Sequence, residues 1–335
     1  MAIKVELVGK ALVVTLDRSH RYNATDINTI NALHELLDQY AQNNAVERML
    51  ITSDHPKAFC AGGDVRAVYE LIQHNNFAEA KNFFDREYSL IAKMASYQKP
   101  IISLVNGMCF GGGMGLSMHN RYRIITENAI MAMPETIIGF FPDVGASFRF
   151  AKLSKGWRNF YALTGYAIPL GLALKNDFAD FFVKSQNLAD LQQTLCECDS
   201  GAEKQTIAEF AEIFSKNHET DEDWIERTFN QFLPEIFLSL EKSTHKRAAT
   251  ILKDLTHRSP LSLRVTYQLM EMGEQFSLED SLKLDQIIAN NFINFKDFTE
   301  GVRAQVVDKD KNPTWVYKTI ADIPQELVSA IFQPN

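Results

Sequence analysis

The residues best suited to chemistry lie between Gly111 and Asp143. Gly111-Gly112-Gly113-Met114-Gly115 forms a glycine-rich turn, and two isolated carboxylates, Glu135 and Asp143, follow it inside the apolar stretch Met133-Pro134-Glu135-Thr136-Ile137-Ile138-Gly139-Phe140-Phe141-Pro142-Asp143-Val144-Gly145. A core built only for packing has little use for acids there, because a buried carboxylate is costly unless it is paired or working. A second glycine-rich exit, Phe59-Cys60-Ala61-Gly62-Gly63-Asp64, comes earlier in the chain. Each turn leaves a strand just before a helix, where backbone N–H groups have no intrahelical acceptor. Two such turns facing each other would grip one developing oxyanion, whereas either alone is equally well a tight turn. Together with the carboxylates they suggest acid/base or nucleophilic chemistry on an oxyanion-forming substrate.

The elements that must position these residues are read from periodicity. Alternation predicts a hairpin, Val5 to Val8 and Ala11 to Leu16, turning at Gly9-Lys10. An amphipathic helix is expected from Asp26 to Ala41, a buried strand at Met49-Leu50-Ile51-Thr52, and a helix starting at Asp64. Residues 77–95 read as a further helix and 101–105 as a strand ending at the glycine turn, with short strands at 121–125 and 129–132. Beyond residue 186 the pattern is helical, with capping boxes expected at Thr220-Asp221-Glu222-Asp223 and Ser277-Leu278-Glu279-Asp280. The layout is α/β, with a core over residues 1–185 and a mainly helical region over 186–335 that packs on it. No internal repeat is visible.

Composition narrows the class. The 335-residue chain is 46% hydrophobic and 23% charged, enough for a sizeable core, and its net charge of -8 without a Lys/Arg block gives no footprint for nucleic acid. The span from Pro100 to Asn120 carries no Asp, Glu, Lys or Arg, but its glycines and the strand pattern after Lys99-Pro100 favour a buried strand, turn and helix start over a membrane span. Cys60, Cys109, Cys196 and Cys198 show no metal-ligand spacing, and Cys196-Glu197-Cys198 is too tight for a comfortable disulfide. Reduced thiols and, with no signal or transit peptide in the opening residues, a cytoplasmic location are expected. The histidines form no metal motif, and no metal or redox cofactor is expected.

Several of these stretches resemble the crotonase (enoyl-CoA hydratase/isomerase) superfamily, and its 3-hydroxyisobutyryl-CoA hydrolase branch in particular. They are Ala58-Phe59-Cys60-Ala61-Gly62-Gly63-Asp64, Lys99-Pro100, Met133-Pro134-Glu135 ahead of Phe141-Pro142-Asp143-Val144-Gly145, Leu163-Thr164-Gly165, Ser259-Pro260-Leu261-Ser262-Leu263, Asp297-Phe298-Thr299-Glu300-Gly301-Val302-Arg303-Ala304 and Pro313-Thr314-Trp315. The resemblance implies a crotonase-like spiral of ββα units with a C-terminal helical region. It further implies an acyl-CoA thioester hydrolase of valine catabolism, with coenzyme A as part of the substrate, and homo-oligomers are known in the family. Its rivals are a hydratase or isomerase of the same fold and a non-catalytic CoA-binding protein.

By motif position the resemblance assigns the oxyanion donors to the amides of Gly63 and Gly112. Hydratases similar to this chain place a catalytic Glu two residues after the glycine triplet, where Gly115 stands here. The other acid of the pair matches Glu135, and Asp143 occupies a position that is acidic in the hydrolase branch. There the residue matching Glu135 is expected to be ionised and either attacks the thioester or activates water, with Asp143 orienting substrate or water and moving protons. Glu87 matches a position at the acyl end of the substrate, or is a solvated helical Glu. Ala61, Gly62, Asp64, Arg18, Asn23 and Ala24 match CoA-binding positions, although Asp64 equally suits a helix N-terminus and Arg18 or Arg21 equally suits a soluble loop. Ser19, Thr25 and Ala146-Ser147-Phe148 depart from the family pattern; the last stretch stands where the hydrolase branch runs on in glycines and small residues would line the pocket, so a different acyl preference is expected.

Overall fold

Period-two alternation produces the expected hairpin: β1 (Ile3–Val8) and β2 (Ala11–Leu16) pair antiparallel across Gly9-Lys10. The structure is a computed structural model describing residues 2–214 and 221–334. Asp26 caps α1 (Ile27–Tyr40), its carboxylate accepting the Thr29 N–H, and the chain then enters β3 (Arg48–Ser53) and β4 (Ala58–Cys60). Next come α2 (Val65–Gln73) and α3 (Phe77–Ala95), followed by β5 (Ile101–Val105), β6 (Met108–Phe110) and α4 (Gly112–Met118). Three further strands, β7 (Tyr122–Ile125), β8 (Ile130–Ala132) and β9 (Phe181–Phe182), complete the sheets.

The strands sort into a six-stranded sheet, β1-β2-β3-β5-β7-β9, parallel except for β1, and a three-stranded sheet, β4-β6-β8. Three successive strand pairs, β3/β4, β5/β6 and β7/β8, each give their first strand to the large sheet and their second to the small one. That is a structural repeat with no counterpart in residue identity. The stretch from Pro100 to Asn120 resolves into β5, β6 and α4, and no helix among the described residues is long and apolar enough to cross a membrane.

Two compact units are woven from the chain. The first takes residues 2–63, 89–131 and 168–214, and the second takes 64–88, 132–167 and 221–334. The first unit contains both sheets, and its core packs Val13, Leu50, Ile102, Leu104 and Ile124 against Leu191, Leu195 and Ile207 of the helices Leu188–Glu197 and Glu203–Phe210. Arg48 of β3 is fully buried in it, donating from Nε to Glu203 Oε1 (2.9 Å) and from Nη1 to the carbonyls of Leu195 and Cys198 (2.9 Å each).

The second unit is built on helices and on aromatic packing. Phe84 of α3 stacks on Phe140 (ring centroids 5.2 Å), which also meets Phe141, Phe292 and Phe298. The expected cap at Ser277 forms as a full capping box on the helix Leu278–Phe292, Ser277 Oγ accepting the Asp280 N–H and the Asp280 carboxylate accepting the Ser277 N–H. The other expected box begins at Thr220, outside the described residues.

Candidate active site

Each unit carries one group of the residues singled out by sequence. In the first unit β4 and β6 run parallel as neighbours, so the turns that leave them, Ala61-Gly62-Gly63 and Gly111-Gly112-Gly113, lie side by side. Their spacing leaves no room for side chains. A Cβ on Gly62 (φ +110°) would stand 3.2 Å from the Phe110 carbonyl oxygen, and one on Gly113 only 2.4 Å from the Cys60 carbonyl oxygen. Bare backbone is therefore a packing requirement of this pair of turns. Gly112 is the first residue of α4, so its N–H has no acceptor within the helix.

The loop before α1 is tied down from within. Asn23, buried and left-handed (φ +58°), accepts the Arg18 N–H through Oδ1 (2.9 Å) and donates from Nδ2 to Ser53 Oγ (2.7 Å) and to the Phe59 carbonyl (3.1 Å). Arg18 donates to the Ala24 carbonyl and pairs with Asp26 at 3.5 Å, so its guanidinium is engaged inside the loop. Ala61 is joined to the same loop by its N–H to the Tyr22 carbonyl (3.0 Å), and Thr25 bridges Gly63. Asn23 and Arg18 thus brace the first glycine turn.

The acids gather in the second unit. Asp64 is set apart from them as the N-cap of α2, its Oδ1 accepting the Ala67 N–H at 3.3 Å, the helix-terminus geometry. Glu135 opens a short 3-10 turn, Glu135–Ile138, and is 8% exposed; Asp143 and Glu87 are each 5% exposed. Spacing on α3 explains why Glu87 and Tyr88 join them. Residues three and four positions after Phe84 share its inward face, so the aromatic contact of Phe84 with Phe140 turns both inward.

Tyr88 Oη donates to Asp143 Oδ2 at 2.7 Å. Asp285, fully buried on the helix Leu278–Phe292, accepts the Gly145 N–H through Oδ2, also at 2.7 Å. Glu135 Oε2 and Asp285 Oδ1 are buried without a hydrogen-bond partner among the described residues. No Lys, Arg or His among the described residues pairs with Glu135, Asp143 or Asp285, so these acids are desolvated without a compensating cation.

Their ionisation follows from that. Burial first, and then the charges of Asp143 and Glu87, hold the Glu135 carboxyl well above the usual carboxylate range. Burial also raises Asp143, but the Tyr88 hydroxyl and a backbone bond favour its charged form and restrain it to about 7. Asp285 is held well above the usual range by burial and by the charge of Asp143. Burial thus disfavours ionisation of all three carboxyls, and Asp143, with the Tyr88 hydroxyl on it, is the one whose charged form is best supported.

Sequence reading found Glu135, Asp143 and Glu87 but not Tyr88 or Asp285. Asp285 did leave a signal: it falls on the apolar stripe of its helix with Leu282, Ala289 and Phe292, where a carboxylate is out of pattern. Ser147 lies just after the left-handed Val144-Gly145 turn. It is fully buried, its Oγ 2.6 Å from Ser281 Oγ and its Cβ where a Cβ on Gly273 would come within 2.8 Å, so it packs the turn against neighbouring helices.

A ββα repeat feeding two sheets, paired glycine turns and a buried carboxylate pair define a class, and comparison with known proteins agrees. Residues 11–332 match the family profile described as enoyl-CoA hydratase/isomerase. The chain is similar to the mitochondrial 3-hydroxyisobutyryl-CoA hydrolase of Danio rerio, with 33% identity covering 98% of this chain and 88% of that protein. The relative of the same name in Dictyostelium discoideum is 34% identical over 98% of this chain and 91% of its own. Among solved structures, an enoyl-CoA hydratase from Rhodobacter sphaeroides 2.4.1 superposes with a TM-score of 0.91 at 30% identity, covering 100% of this chain and 98% of that one. The chain belongs to the enoyl-CoA hydratase/isomerase family.

Proposed function

We propose that this protein is an acyl-CoA thioesterase that hydrolyses 3-hydroxyisobutyryl-CoA, a step of valine catabolism. The observation that carries the reading is the buried Glu135–Asp143 pair, desolvated, without a cation and with Tyr88 on Asp143, in a chain that has Gly115 where hydratases of the family place their other acid. Relatives as distant as a fish and a slime mould share the hydrolase name, which supports it further.

On this reading Gly63 and Gly112 supply the amides for the thioester oxyanion, and Glu135 and Asp143 supply the proton chemistry. A proton passes from Glu135 to Asp143 as substrate engages, leaving Glu135 charged. Glu135 then adds to the thioester carbonyl, or takes a proton from the water that adds, and the C–S bond breaks. Asp143 returns the proton to the departing CoA thiolate, and water supplies the oxygen of the released acid. Glu87 pairs with the 3-hydroxyl of the acyl group, while Ala61, Gly62, Asp64, Arg18, Asn23 and Ala24 shape or line the CoA site. No metal or redox cofactor enters any step.

The reading is tested with a panel of acyl-CoAs, following free thiol release and enoyl-thioester absorbance together. We expect thiol release from 3-hydroxyisobutyryl-CoA, with a kcat/KM at least tenfold above that for isobutyryl-CoA, because a site built to bind a hydroxyl leaves polar groups unsatisfied when it is missing. Glu87→Gln should reduce that preference. Efficient hydration of crotonyl-CoA without thiol release would replace the hydrolase reading with a hydratase.

A further inference from the structure

Asp285 takes no part in the chemistry proposed above, yet it is fully buried and its only hydrogen bond among those described is to the backbone of the turn that follows Asp143. That turn is unusual. Val144 and Gly145 are both left-handed, at φ +52° and +78°, and a β-branched residue rarely adopts that conformation unless its surroundings impose it. One face of the Leu278–Phe292 helix packs against this turn. Ser281 and Asp285, one helical turn apart, reach the same short segment: Ser281 Oγ lies 2.6 Å from Ser147 Oγ, and Asp285 Oδ2 accepts the Gly145 N–H at 2.7 Å. On the near side of the turn, the Asp143 carboxylate receives the Tyr88 hydroxyl.

We propose that Asp285 is a positioning residue for Asp143: by accepting the Gly145 N–H it holds the left-handed Val144-Gly145 turn that presents the Asp143 carboxylate to Tyr88. Two features suit Asp285 to this task. Burial and the charge of Asp143 both disfavour a second charge at Asp285, while its Oδ2 still accepts the Gly145 N–H at 2.7 Å. Its place on a long helix, with Leu282 and Phe292 packed on the same face, fixes the acceptor more rigidly than a loop residue would.

This inference rests on the reading that Asp143 belongs to the hydrolytic pair. It is tested by steady-state kinetics per folded molecule on the acyl-CoA that the wild type hydrolyses best, using Asp285→Asn, Asp285→Ala and the double variant Val144→Gly/Asp285→Ala. Asn keeps a carbonyl acceptor for Gly145, so kcat should stay within about threefold of wild type even if its amide lowers thermal stability. Ala leaves the Gly145 N–H unpaired, so kcat should fall roughly ten- to a hundredfold while KM changes by less than about threefold. Glycine at 144 adopts the left-handed conformation without a Cβ penalty and should recover at least about threefold of the lost kcat. If Asp285→Ala does not fold alone, the double variant compared with Asp285→Asn supplies the same contrast in kcat. Equal kcat in Asp285→Ala and wild type, or a kcat in Asp285→Asn as low as in the Ala variants, would overturn the proposal. Failure of the underlying reading has a different signature, namely an Asp143→Asn variant that keeps wild-type kcat.

Discussion

Two buried charge clusters in this molecule are built on opposite principles. Arg48 and Glu203, in the first unit, are buried like the acids of the second, but the guanidinium donates to the carboxylate and to several carbonyls, so the charges cancel and the donors are used. Glu135, Asp143 and Asp285, in the second unit, face other acids, a tyrosine hydroxyl and backbone N–H groups, and among the described residues no cation pairs with them. The first arrangement ties a strand to the helices behind it. In the second, burial shifts the carboxyls away from the ionisation a solvated acid has at neutral pH, as expected of groups that must gain and lose protons during a reaction. Desolvation is common to both, and the presence or absence of a cation separates scaffold from site.

Removing one partner of the Arg48–Glu203 pair has the largest expected effect on the fold. Glu203→Ala would leave Arg48 buried and incompletely compensated, which costs about 3–5 kcal/mol for a buried ion pair. We expect a large loss of stability in denaturant titration at any pH between 5 and 8, with activity per folded molecule retained. A change near zero would mean that the backbone carbonyls around Arg48 suffice and the pairing argument fails.

The unpaired cluster should respond in the opposite direction. Asp143 has a folded pKa raised to about 7, so its protonated form is favoured by folding, and its contribution to stability is fully present below the usual carboxylate range and lost as pH rises toward 7. Asp143→Asn cannot ionise. It should be more stable than wild type at pH 8 by on the order of 2–4 kcal/mol, at 1.36 kcal/mol per pKa unit, and the gain should shrink toward zero near pH 4. A variant no more stable than wild type at pH 8 would show that Asp143 ionises there without strain. Such a gain bought with lost activity is the usual signature of a functional site.

The two clusters also differ in how far they could be read from sequence. The glycine turns were legible because a tight backbone approach demands a missing side chain, and the geometry at Gly62 and Gly113 bears that out. Glu135 and Asp143 stood out as acids in an apolar run. The hairpin, α1, α3 and the Ser277 cap followed from period, capping and turn residues alone. Tyr88 and Asp285 were not found, because their role depends on contacts with a turn tens to more than a hundred positions away in the chain. Arg48 was invisible for the same reason: nothing local distinguishes an arginine that finds its partner 155 positions later from one exposed to water.

The most direct test of the account is Glu135→Gln, which keeps the shape of the side chain and removes the charge it must acquire. Thiol release from 3-hydroxyisobutyryl-CoA should fall by about a thousandfold or more, while the fold and CoA binding, measured by circular dichroism and calorimetry, are retained. Turnover within tenfold of wild type in a clean preparation would contradict the assignment of Glu135 as the acid on which thioester hydrolysis depends.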